Sequence, residues 1–169
     1  LNALCLCGAA PGKTLVVTAG VHGCEYVGIQ ALRRLAADLD PARLSGNVIL
    51  LPLANPSAFY AGAKQVVPED GVNLNRAFPG NSAGPLSARL AFALEAALYP
   101  EADLLADLHS GDCSETLHPL VFSRQQGRNG QPSLTGCRQG PDGTLPGPLH
   151  RQERALQLGG AKRHSRTAD

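Results

Sequence analysis

A histidine and a glutamate three positions apart, His22 and Glu25, sit in a small-residue turn that closes an apolar run, VVTAGVHGCEYVG at positions 16–28. A second histidine, His109, closes another run, DLLADLHS. Two imidazoles and one carboxylate, with a coordination position left open, make a donor set typical of catalytic zinc. The helical His-Glu-x-x-His spacing is absent, so such a site has to be assembled from strand ends. Gly20, Gly23 and Gly28 suit that assembly, because a tight turn must aim both members of an i, i+3 pair at one ion. A histidine at a strand end is also often a satisfied polar residue, and the residue types alone leave both readings standing.

Asp107 precedes His109 by two residues and so shares its strand face. It either orients an imidazole as a hydrogen-bond acceptor or is itself held by backbone donors. The stretch PEDGVNLNRAFPG brings Asn75 and Arg76. A guanidinium fork grips a carboxylate through two parallel hydrogen bonds, and a neighbouring amide adds a donor. Beside a metal, the pair would suit a substrate with a free carboxylate; in isolation, Arg76 reads more simply as a solvated loop residue. His118 reads as a surface histidine, and His150 and His164 carry no assignment.

The elements that must position these residues alternate between strand and helix patterns. ALCLCG and KTLVVTAG are β-rich runs parted by a turn at Pro11-Gly12. From Tyr26 the period is helical, through Ile29, Leu32, Leu35 or Ala36, and Leu39, and Pro41 ends it. NVILLPLA reads as a buried parallel strand, Ser87 to Leu98 as a second helix, and DLLADLHS as a further strand. This alternation predicts an α/β fold, a sheet covered by helices on both faces. Asn55 to Gly84 has no strong period, and a loop of that length in a compact domain is expected to be functional.

The 169 residues suffice for one domain with a real core. A net charge of +1 and only four Phe and three Tyr argue against nucleic acid as a partner. No apolar run approaches the ~20 residues of a membrane span, so no membrane partner is expected. The five cysteines are odd in number, and Cys5 and Cys7 read as small hydrophobes in a strand rather than a metal pair. A cytoplasmic, reducing setting is the default expectation. The start LNALCLCGAAPG has no basic n-region and reads as the start of a fragment or mis-assigned gene. After Ser123 the character changes: residues 124–169 contain no Val, Ile, Phe or Tyr and are rich in Gly, Pro, Gln and Arg. The expected organisation is therefore a folded α/β part at 1–123 and a largely disordered tail at 124–169, an abrupt change that a frameshift or truncation would produce.

GVHGCEYVG, ILLPLANPSAF, PEDGVNLNRAFPG and DLHSG, in this order and spacing, resemble the succinylglutamate desuccinylase/aspartoacylase group of zinc-carboxypeptidase-like hydrolases over about residues 5–123. The resemblance implies a mixed, largely parallel sheet flanked by helices. It also implies one zinc ion held by His22, Glu25 and His109, and a substrate carboxylate gripped by Asn75 and Arg76. The implied activity is hydrolysis of the amide of an N-acyl amino acid or a similar small carboxylate-bearing substrate. Two family features have no counterpart here. The family's oxyanion-binding arginine before the Asn-Arg pair is missing, and Lys64 is the nearest cation. The general-base glutamate, expected well downstream of His109, is not identified, since neither Glu115 nor Glu153 has its surroundings. A truncated, non-catalytic chain that only binds zinc is the competing expectation.

Overall fold

The computed structural model describes residues 1–117 and the backbone of two strands, Leu120–Gln126 and Pro132–Arg138. In chain order the elements are β1 (Leu4–Cys7), β2 (Ala10–Ala19), α1 (Tyr26–Asp38), β3 (Ser45–Leu51), α2 (Pro56–Ala61), β4 (Val66–Val67), β5 (Val72–Asn73), α3 (Leu86–Ala97), β6 (Leu104–Leu108), β7 (Leu120–Gln126) and β8 (Pro132–Arg138). Four strands form the main sheet in the order β1-β3-β2-β6. β2 pairs in parallel with β3 and β6, and β1 runs antiparallel along β3. The sheet is mixed and mainly parallel, as the sequence predicts.

From β2 the chain passes through α1 to β3 on one side, then crosses to β6 on the other. The carboxyl end of β2 is therefore where the strand order reverses, the place where open α/β sheets collect ligands. β2 and β6 run in register from Leu15↔Leu104 to Ala19↔Leu108. His22 and His109 thus leave the sheet side by side, although 87 positions separate them in sequence (109 minus 22).

Strand alternation distributes the core to two faces. Val17, Ala19 and Leu50 pack with Ile29 and Leu32 of α1. Leu51, immediately after Leu50, packs with Ala91 and Leu94 of α3 together with Val21, Val67 and Leu74. On α1 it is Ala36, not Leu35, that joins the core, and Leu35 is exposed.

Several expectations are corrected. The turn between β1 and β2 falls at Gly8-Ala9, and Pro11-Gly12 lie inside β2, where the pairing with β3 shifts register between Ala10 and Thr14. A bulge tolerates a proline that a regular ladder would exclude. The segment 55–84 is not one loop: it holds α2, the β4–β5 hairpin and a 3-10 turn at Leu74–Arg76, all too short to show a period. Cys5 and Cys7 do lie in a strand, the edge strand β1, and both are exposed. β7 and β8 pair antiparallel, from Leu120↔Arg138 to Gln126↔Pro132. His118, His150, His164 and Glu153 lie outside the described residues. Among the described residues no helix is long and apolar enough to cross a membrane.

Candidate metal centre

The turn after β2 is clamped before it carries any chemistry. The N–H groups of Ala54 and Asn55 donate to the carbonyls of Ala19 and Gly20, both at 2.9 Å, and so carry the β2–β3 pairing beyond the strands. Fully buried Asn55 then donates from Nδ2 to the Val21 carbonyl (3.2 Å) and accepts at Oδ1 from the Ala58 N–H (3.2 Å), capping α2 ahead of Pro56. A Cβ on Gly23 would lie 2.4 Å from the Ala58 backbone, so only glycine lets this turn rest against α2. Glu25 follows at the N-terminal boundary of α1, where unpaired N–H groups and the helix dipole favour an anion.

His22, Glu25 and His109 converge, each offering one ligand atom within 4.8 Å of the others. The two histidines present the same nitrogen to opposite oxygens of one carboxylate. His22 Nδ1 lies 2.6 Å from Glu25 Oε1, and His109 Nδ1 lies 2.8 Å from Glu25 Oε2. The Ser110 N–H also donates to Oε2, at 3.1 Å. The rings are 4.9 Å apart and tilted at 58°. Each Nε2 faces away from the carboxylate toward an acceptor: Asn73 Oδ1 at 3.2 Å for His22, and Asp107 Oδ2 at 2.9 Å for His109. Fixing the far nitrogen in this way is how protein sites orient imidazoles toward a cation.

Asp107 is buried and receives a second bond, from Thr18 Oγ1 at 2.7 Å, across the β2–β6 register pair. Burial pushes the Glu25 carboxyl up, but hydrogen bonds from His109 and then His22 outweigh it, leaving a value of about 2. Burial would likewise lower His109, yet its bonds to Asp107 and Glu25 hold it up to about 10. The metal-free cluster thus places positive charge on His109 between two carboxylates. A divalent cation meets the same field, so the donor types, their convergence and the acceptors behind them fit a metal ion.

Asn75 reaches the cluster, with Nδ2 3.3 Å from His109 Nε2, and is buried. Nε2 carries one hydrogen, and the shorter contact with the Asp107 carboxylate claims it. Arg76 is exposed on the same 3-10 turn and donates from Nη1 to the Asn75 carbonyl at 3.4 Å, with no carboxylate partner among the described residues. Lys64 does not join the cluster: its Nζ lies 2.7 Å from Asp112, which keeps the ammonium charged. Sequence reasoning missed Asn55, Asn73 and Thr18. The Asn-Pro start of α2 was a readable cap signal for Asn55, whereas nothing local marks Asn73 or Thr18 as neighbours of an imidazole.

A model of the succinylglutamate desuccinylase/aspartoacylase catalytic domain matches residues 11–134. The chain belongs to that family. The match runs past Ser123 into β8, further than the four motifs indicate. This family member is 39% identical over 112 residues to an N-alpha-acetyl-L-2,4-diaminobutyric acid deacetylase of Halomonas elongata, covering 66% of this chain and 32% of the relative. An aspartoacylase family protein from Mesorhizobium loti superposes with a TM-score of 0.60 at 37% identity, covering 72% of this chain and 37% of the other. The product-bound ectoine utilization protein EutE (DoeB) from Ruegeria pomeroyi gives 0.57 at 36% identity, covering 69% and 34%. The chain therefore spans about a third of the length of these relatives.

Proposed function

We propose that this chain carries the metal-binding part of a zinc-dependent hydrolase that cleaves the amide of a small N-acyl amino acid. The observation that supports it most is the convergence of two imidazole Nδ1 atoms on the two oxygens of Glu25, with both Nε2 atoms held from behind. His22, Glu25 and His109 would hold the ion. When bound, zinc supplies a Lewis acid for the scissile carbonyl and a water of lowered pKa. Around it, Asp107 and Asn73 keep the rings aimed, and buried Asn75 lines the His109 side. Arg76, exposed and without a carboxylate partner among the described residues, suits the substrate's carboxylate. The acetylated amino acid named for the Halomonas relative supports N-acyl amino acids as the substrate class. A cytoplasmic location is the companion proposal.

One observation favours a second reading, a chain that binds zinc without turnover. Among the described residues, no carboxylate except Asp107 hydrogen-bonds the cluster, and Asp107 faces the rear of His109, so no group is placed as general base. Assay of amine release from a panel of N-acetyl amino acids separates the two. Turnover that chelation abolishes and zinc restores is expected; a fully zinc-loaded chain with no turnover on any member would establish the binding-only reading. His109→Ala should lose stoichiometric zinc, and a variant retaining it would overturn the ligand assignment.

A further inference from the structure

One oxygen atom, Asn73 Oδ1, serves two parts of the site. It lies 3.2 Å from His22 Nε2, and it accepts from the Asn75 N–H at 2.9 Å as the cap of the Leu74–Arg76 turn. We propose that Asn73 is a positioning residue that locks the His22 ring for the metal and, through the same atom, fixes the turn that presents Asn75 and Arg76. The inference rests on the metal-centre reading above and assigns a role that the sequence motif does not reveal.

The backbone at Asn73 is held on both sides. It ends β5, paired with Val66, and the next residue, Leu74, is fully buried in the core beneath α3. A side chain launched from so constrained a backbone has few positions open to it, so its oxygen acts as a fixed reference between the two groups. The partners of the two imidazoles also differ in charge. His109 donates to a carboxylate, whereas His22 donates to a neutral amide oxygen, which orients the ring but polarises it less. An amide oxygen only accepts, so the contact with Asn73 Oδ1 keeps a hydrogen on His22 Nε2 and leaves Nδ1 as the nitrogen whose lone pair would face an ion.

The experiment compares zinc affinity by chelator competition, and the visible absorption of the cobalt-substituted full-length chain, across four variants. Asn73→Ala should weaken metal binding about 10–100-fold. Asn73→Ser should lose as much affinity, because its hydroxyl still caps the turn but stops short of His22; its thermal midpoint should stay above that of Asn73→Ala. Asn73→Asp, which keeps both bonds, should bind metal at least as tightly as the parent and retain the cobalt spectrum. His22→Ala is the control and should abolish specific binding. Parental affinity in Asn73→Ala, or a loss in Asn73→Asp equal to that in Asn73→Ala, would overturn the role of Asn73 while leaving the metal centre intact. Retained binding in His22→Ala would instead remove the metal-centre reading on which it stands.

Discussion

His22 and His109 both offer Nδ1 to Glu25, His109 also passes Nε2 to Asp107, and these charged contacts make the site sensitive to pH. His109 rises from an ordinary 6.5 to about 10 in the fold, so its stabilising contribution is complete below pH 6.5 and is lost as pH climbs through 10. Glu25 falls from 4.5 to about 2, so its contribution is present above pH 4.5 and is lost as pH drops through 2. In the presence of a chelator, the urea midpoint should therefore decline on both flanks, in those two windows. Asp107→Asn should flatten the alkaline decline; an unchanged alkaline flank would show that the Asp107–His109 bond contributes nothing. At Arg76 the expectation is kinetic. Replacing it with Ala removes charge-assisted bonds worth about 1.5–3 kcal/mol each, so KM for an N-acyl amino acid should rise by roughly tenfold or more. A change in kcat alone would speak against a grip on the substrate carboxylate.

The elements show why a segment without periodicity can still be well placed. The turn bearing Asn75 and Arg76 is tied to α3 from two directions. Asp70 accepts the Ser87 N–H at 2.7 Å and the Val72 N–H at 3.1 Å, supplying the cap that Pro85 cannot. The Asn81 N–H bonds the Ala88 carbonyl at 3.0 Å, and Gly80, at φ +84°, lies so near α3 that a Cβ would sit 2.2 Å from the Phe92 nitrogen. The Ser87 N–H, foremost, holds the Asp70 carboxyl below its ordinary 3.8. The stability it contributes is thus present above that value and lost as pH falls beneath it. Asp70→Ala should lower the thermal midpoint at pH 7 and shrink the acid sensitivity, by calorimetry; a midpoint equal to the parent's would mean that α3 needs no cap from this loop. The helices α1 and α3 were legible because apolar residues recur on their buried faces. α2, the hairpin and the 3-10 turn were not, since elements of two to six residues fix no period.

At the scale of the molecule, the sheet's two outer strands, β1 and β6, have no second neighbour in it among the described residues. Leu104 is exposed on β6, and β1 reads LCLC with no charge to discourage pairing. Such edges template association between chains. Leu104→Lys should therefore slow aggregation, followed by light scattering, with stability changed by no more than about 0.5 kcal/mol, the range of ordinary surface substitutions. Unchanged aggregation would acquit this edge.

The sequence by itself determined which chemistry is available. Residue types and strand-end positions marked His22, Glu25 and His109 as candidates, and the β/α alternation indicated the sheet, because both are local properties of the chain. Only the tertiary structure decided which ring nitrogen faces Glu25, that Asp107 and Asn73 stand behind the two imidazoles, and that Lys64 is engaged by Asp112. Those contacts join residues 48 or more positions apart or depend on side-chain direction at an element's end, and no local pattern encodes either.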